Sequence, residues 1–104
     1  MPLTKDFKTT VMARARHDKA FCNAMLTEAI NEFLTGDADL GKAILRDYIN
    51  ATISFEILST MLNKNPKSLM RMLGSHGNPT SKSLFEMLHA IQKIKKMKLN
   101  VSLK

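Results

Sequence analysis

Cysteine occurs only once in these 104 residues, at Cys22, which excludes an internal disulfide and leaves no cysteine set to build a metal site. A lone thiol without a disulfide framework is what a reducing, cytoplasmic setting predicts. Glycine (4), proline (3) and aromatic residues (6%) are scarce, and β-branched runs are short, so the composition favours helices. No apolar run approaches the roughly 20 residues that a membrane span needs. The opening Met1-Pro2-Leu3-Thr4-Lys5-Asp6-Phe7-Lys8 lacks the apolar stretch of a secretory signal. Catalytic signatures are missing as well: there is no Gly-rich phosphate loop, no metal-spaced His/Cys/Asp set and no nucleophile elbow, and nothing orients Cys22 beside His17. The expectation is a protein that is not an enzyme and that needs no cofactor, no metal, no membrane and no small-molecule substrate.

Acidic residues are scarce in one half only. Residues 54–104 hold two Asp/Glu against nine Lys/Arg, whereas residues 1–53 hold seven of each, so the whole excess of +7 lies in the second half. A one-sided positive field of this kind predicts a polyanionic partner, with DNA phosphates foremost. With 44% apolar and 24% charged residues, the chain suits one compact domain with a modest core. Within it, 1–53 is a neutral N-terminal region and 54–104 a basic one.

Helical spacing organises the neutral region into three helices. Asp6 or Thr4 can cap the first, which runs to about Arg16 with Phe7, Val11 and Ala15 at spacing four. Asp18 caps the second, whose stripe is Phe21, Met25, Leu26, Ala29, Ile30, Phe33 and Leu34 and whose stop is Gly36. Asp37 and Asp39 place two carboxylates at the positive end of the third, and Leu40, Ala43, Ile44, Tyr48 and Ala51 continue its apolar stripe.

The basic region predicts three more helices. Ser54 caps a short fourth helix on Phe55, Leu58, Met61 and Leu62. The run Asn63-Lys64-Asn65 must then turn sharply, with Asn63 in the left-handed position. Pro66 suits the first turn of a fifth helix, which buries Leu69, Met72 and Leu73, leaves Lys67, Ser68 and Arg71 on its open face and ends at Gly74. Helix, tight turn and basic helix together form the arrangement that places a recognition helix in the DNA major groove. The candidate contacts are Lys64, Lys67, Ser68 and Arg71, followed by Ser75, His76 and Asn78 of the polar loop after the fifth helix. Thr80 caps a sixth helix on Leu84, Leu88, Ile91 and Ile94, and Lys93, Lys95, Lys96 and Lys98 suit either its negative end or a phosphate. Leu99-Asn100-Val101-Ser102-Leu103 alternates apolar and polar residues. It is either a strand paired with the same strand of a second copy in a homodimer, or a frayed basic tail. Cys22 reads as a small core residue, His17 and His89 as surface or boundary residues, and the eight methionines as core filler.

Several of these segments resemble one family. Phe55-Glu56-Ile57-Leu58-Ser59, Lys67-Ser68-Leu69-Met70-Arg71-Met72-Leu73 and Gly77-Asn78-Pro79-Thr80 followed by Leu84 are similar to the phage-repressor-type helix-turn-helix of addiction-module antidote proteins, the HigA-like antitoxins. Asp47-Tyr48-Ile49-Asn50-Ala51-Thr52 and the opening Leu3 to Val11 extend the likeness over nearly the whole chain. The chain departs from the pattern at Ser59, where alanine is usual, at Asn63, where glycine is frequent, and at Lys95-Lys96-Met97-Lys98, where a glycine tends to precede the terminal strand. The resemblance implies an all-α bundle of about six helices and a cytoplasmic homodimer. It also implies a type II antitoxin that neutralises a RelE-like ribonuclease toxin by direct binding and represses its own operon at operator DNA. A stand-alone transcriptional repressor would share every DNA-binding feature and differ only in having no use for the neutral N-terminal region.

Overall fold

The computed structural model describes residues 17–104 together with residue 13, and its described elements are five α-helices and no strand. They are α1 (Lys19–Leu34), α2 (Ala38–Thr52), α3 (Ser54–Leu62), α4 (Pro66–Met72) and α5 (Ser81–Lys95). The helix expected from Asp6 or Thr4 to about Arg16 lies outside the described residues. The all-α class is therefore as expected, and none of the described helices is long and apolar enough to cross a membrane.

Each helix begins where a short polar side chain accepts a backbone N–H, and three of the five end at a left-handed residue, Gly36, Asn63 or Lys96. Asp18 accepts from the Phe21 amide at 3.0 Å and starts α1. Gly36, at φ 95°, stops it. The Gly36 amide donates to the Phe33 carbonyl at 3.2 Å and the Asp37 amide to Glu32 at 2.9 Å, the paired bonds of a Schellman motif. Asp37 accepts from Leu40 at 3.1 Å to open α2, with Asp39 in its first turn. Only Ile53 separates α2 from α3, and Ser54, at φ 71°, accepts from the Ile57 amide at 3.3 Å, the capping role its sequence position predicts. Thr80 opens α5 by accepting from Ser83 at 3.1 Å.

Helices α1 and α2, joined by a three-residue turn, make the most extensive helix pair, and α3 packs against α2, α4 and α5. One continuous core results. Leu26, Leu45, Tyr48, Ile49, Phe55, Leu58, Leu69, Leu73, Met87 and Ile91 are all essentially inaccessible, so the neutral and basic regions share a single interior. Cys22 is buried in it, and His17 and His89 are exposed, as their surroundings predict.

Three expected core residues face water instead: Leu34, Leu40 and Met61. On α2 the buried arc runs through Lys42, Leu45, Tyr48 and Ile49, and Leu40 lies about 140° round the helix from Leu45. The methionines divide in the same way, with Met87 buried and Met61 and Met70 exposed. The C-terminal segment forms no strand, because a strand needs a hydrogen-bonded neighbour and every described element beside it is a helix. Instead the Leu99 amide donates to Gln92 Oε1 at 2.9 Å and Leu99 packs on the core, while Val101 and Leu103 are exposed.

Tyr48 carries the one buried side-chain polar atom that lacks a hydrogen bond among the described residues, its phenol oxygen. Thr52 Oγ1 lies nearby but donates to the Tyr48 main-chain carbonyl, at 2.7 Å. Burial, and then the neighbouring Cys22, push the phenol above its usual value. The folded state thus keeps a proton that the unfolded chain gives up near pH 10. The associated stability is full below that pH and is lost as the pH rises through the folded value. Tyr48→Phe removes both the unpaired hydroxyl and this alkaline loss, so stability at pH 7 should rise by up to about 1 kcal/mol. The variant's advantage should grow between pH 10 and 11. Urea unfolding at both pH values measures it, and a variant less stable than the parent at pH 7 would show that the hydroxyl is satisfied.

Candidate nucleic-acid interface

Two short helices meet across three residues, Asn63-Lys64-Asn65. Asn63 adopts φ 53°, ψ 47°, the left-handed geometry its position predicts. The Lys64 amide donates to the Ser59 carbonyl at 3.0 Å and the Asn63 amide to Thr60 at 3.4 Å, closing α3 with a second Schellman pair. Asn65 then caps α4, its Oδ1 accepting from the Lys67 amide at 2.8 Å, and Pro66 takes the first helical position. Local bonds thus close one helix and open the next within three residues.

Leu69 and Leu73 anchor α4 in the core, and Met72 packs beside them. That anchoring fixes which side faces out. Lys67 and Arg71, four residues apart and so on one face, are both exposed, with Met70 between them and Ser68 half-buried at the edge. The loop that follows is folded back under the end of α4. The Gly74 amide donates to the Arg71 carbonyl at 3.1 Å and the Gly77 amide to Gly74 at 3.0 Å. Gly77 lies so close to α4 that a Cβ there would collide with the Arg71 and Met72 carbonyl oxygens. Ser75, His76 and Asn78 are thereby held, exposed, at the C-terminal end of α4, which brings them beside the backbone that carries Arg71.

Lys64 sits differently. Its ammonium is 3.6 Å from Glu86 Oε2 on α5, and both side chains are about one-third exposed. The candidate phosphate contact of the turn is thus already engaged with a carboxylate, one of only two in residues 54–104. Lys82 is exposed in the first turn of α5. The lysines at the other end of α5 lie about 20 Å along the helix axis from its start, where Lys95 and Lys96 border a pocket shared with His17 and Lys19. Lys93 and Lys95 stand at the negative end of the helix, and Lys93 borders a cleft with Met61, Leu62 and Glu86.

Three residues of this region carry no signature that motif reading would select. Glu86 on α5 partners Lys64; Lys42 and Arg46 on α2 donate to the loop after α4, Lys42 Nζ to the Gly77 carbonyl at 2.6 Å and an Arg46 guanidinium nitrogen to the Leu73 carbonyl at 3.3 Å. A usable signal existed for Lys42, because it falls three and seven residues before Leu45 and Ile49, inside the apolar register of α2.

Acidic side chains lie on α1 and at the start of α2, and Asp39 borders the same cleft as Ser75, His76 and Asn78. Glu28 is exposed and Glu32 half-buried on α1, and Asp37 and Asp39 are exposed where α1 passes into α2. Reduced hydration around Glu32, then the charges of Glu28 and Asp37, push its carboxyl above the usual carboxylate value. No three His, Cys, Asp or Glu side chains among the described residues stand together as metal ligands. Compared with protein-family models, with curated proteins and with solved structures, the chain finds no match.

Proposed function

We propose that this protein is a sequence-specific DNA-binding protein whose recognition helix is α4, and that it acts as the antitoxin of a type II module. It neutralises a RelE-like ribonuclease toxin by direct binding and represses its own operon. The observation that carries the DNA-binding reading is the exposed Lys67/Arg71 face of a short helix. A three-residue turn sets that helix against α3, and a polar loop lies folded beneath its end. Such a helix is small enough to enter a major groove about 12 Å wide, with Arg71 placed for bidentate contact to guanine and Lys67, Ser75, His76 and Asn78 for contacts to base edges or phosphates. No catalytic step and no cofactor enters this reading.

The antitoxin reading rests on the family resemblance, and two backbone observations support it. The chain has Asn63 where the family often has glycine, and Lys95 to Lys98 where a glycine tends to precede the terminal segment. Asn63 and Lys96 both adopt left-handed backbone, φ 53° in each case, the geometry that glycine accommodates most readily. Ser59, at the position where alanine is usual, is buried and directs its hydroxyl to the Glu56 carbonyl at 2.7 Å, so a small residue is what the site requires. The carboxylates Glu28 and Glu32 of α1 suit a basic nuclease, and α1 is a separate element from α4 and the loop that follows it, so toxin and duplex could be held at once.

Binding to a duplex from its own promoter should weaken with salt at a log–log slope of roughly −5 to −9 per dimer. Arg71→Ala should cost about 1–3 kcal/mol on that duplex and relax sequence preference. Lys64→Ala should weaken promoter and scrambled duplexes alike. A flat salt response, or equal losses from both substitutions on both duplexes, would remove this assignment.

The alternation over Leu99 to Leu103 and the exposure of Val101 and Leu103 favour pairing with a second copy, which would set two recognition helices roughly one helical turn of DNA apart on a palindromic operator. Sedimentation of the intact chain and of a chain ending at Met97 should show a dimer and a monomer respectively at low micromolar concentration. A truncated chain that stays dimeric excludes the ribbon.

Because the core is continuous, toxin binding is best tested in the full chain. Co-expressed with an adjacent small basic reading frame, the parent and the Lys67→Glu/Arg71→Glu variant should capture its product, whereas Glu28→Lys/Glu32→Lys should not. Capture lost only in the α4 variant would place the toxin on the basic face. A parent that represses its promoter and captures nothing would be a stand-alone repressor.

A further inference from the structure

The α2 helix belongs to the neutral part of the chain, yet two of its side chains reach the basic part and end on main-chain carbonyls. Lys42 is 6% exposed, and its ammonium donates to the Gly77 carbonyl at 2.6 Å while lying 3.3 Å from Asp39 Oδ1. Arg46, one turn further along, donates to the Leu73 carbonyl at 3.3 Å. These acceptors bracket the segment that leaves α4: Leu73 caps its C-terminus, and Gly77 is the residue that touches the Arg71 and Met72 carbonyls. Charge-assisted bonds to carbonyls are roughly twice as strong as neutral ones. A lysine buried this deeply is also strongly committed to the acceptors it has, since an unpaired ammonium there would be expensive.

We propose that Lys42 and Arg46 are positioning residues of the DNA interface: from α2 they hold residues 73–77 and the end of α4, and so set where Arg71, Ser75, His76 and Asn78 stand relative to one another. This rests on the reading of α4 as the DNA-contacting helix. Neither side chain touches DNA in this scheme. Lys42 is buried under the loop and Arg46 is turned onto the Leu73 carbonyl, so both act through the backbone that presents the contacting groups. Base recognition depends on that geometry to fractions of an ångström, whereas general attraction to phosphates depends on the number of exposed cations. The two kinds of binding should therefore respond differently when the clamp is removed.

The test compares the parent chain with Lys42→Met, which keeps the buried stem and deletes the ammonium, and with Arg46→Met on the more exposed side. Arg46→Lys is the conservative variant, and Lys19→Met removes one exposed charge at the start of α1. Hydrogen exchange of the Gly74 and Gly77 amides reads the loop without any DNA. Exchange should accelerate at least tenfold in Lys42→Met and Arg46→Met, with the α1 and α2 amides unchanged, and return near the parent value in Arg46→Lys. Affinities for a promoter duplex and a scrambled duplex of equal length read the interface. The preference for the promoter should fall at least tenfold in the two methionine variants, with the scrambled affinity within about threefold of the parent and the salt slope unchanged. Lys19→Met should leave the preference intact. Parent-like exchange in both methionine variants would overturn the proposal, as would fast exchange with the promoter preference preserved. Should Lys42→Met fail to fold, Arg46→Met against Arg46→Lys decides on the same readouts. If the parent itself prefers neither duplex, the DNA reading falls, and accelerated exchange alone still supports the clamp on the loop.

Discussion

An ammonium buried under a loop must be met by oxygen, and in this protein that requirement ties the two ends of the fold together. Lys42 is surrounded by the residues that close the α2 face of the core, and its acceptor is a carbonyl 35 positions further along the chain. Meeting it demands that the loop after α4 approach α2, which in turn demands that Gly77 have no side chain, because the same approach brings it against the carbonyls at the end of α4. Arg46 repeats the connection one turn later at Leu73. Remove these contacts and α4 would still be anchored by Leu69 and Leu73, but the segment carrying Ser75, His76 and Asn78 would keep only short-range bonds within 71–77. The exposed cationic face is thus built on hydrogen bonds that lie beneath it.

Helix boundaries were largely legible in the sequence because they are decided locally. Asp18, Asp37, Ser54 and Thr80 each accept the amide three residues on, and the left-handed stops at Gly36 and Asn63 follow from residue type. Lys96 shows the limit of such reading. It adopts the same left-handed stop, though nothing in a lysine side chain favours it; the Met97 amide bonded to Gln92 and the packing of Met97 and Leu99 on the core hold it there. Within one chain the C-terminal alternation makes no strand, for a related reason. Period two describes which side chains can face inward, but a strand also needs a neighbouring backbone, and here only Leu99 finds an acceptor, on a side chain.

Site residues were legible where chemistry and exposure coincide and hidden where tertiary contact decides. Lys67 and Arg71 are on the open face of α4 because their neighbours at 69 and 73 must be buried, a one-helix argument. Lys64 looked equivalent, being cationic and in the turn, but its distance to Glu86 depends on how α5 crosses α3, which no local pattern encodes. Lys42 and Arg46 were hidden for the opposite reason: cations in a region of zero net charge suggest a solvated surface, and only their register with Leu45 and Ile49 hints that one of them points inward.

The division of charge along the chain is therefore not a division of structure. Leu26 and Tyr48 from the neutral part share one interior with Phe55, Leu69 and Ile91 from the basic part, and burying these side chains together removes far more apolar surface than either part could alone. Charge is sorted over the outside of that common core instead. Glu28 and Asp37 lie on α1 and at the start of α2, Lys67 and Arg71 on α4, and the two side chains that cross between regions, Lys42 to Gly77 and Arg46 to Leu73, both end on main-chain carbonyls, while Lys42 also lies 3.3 Å from Asp39 Oδ1. Asp39 offsets the charge of the buried Lys42 ammonium, so Lys42 acts on the loop through its hydrogen bond to Gly77 rather than through a field outside the fold.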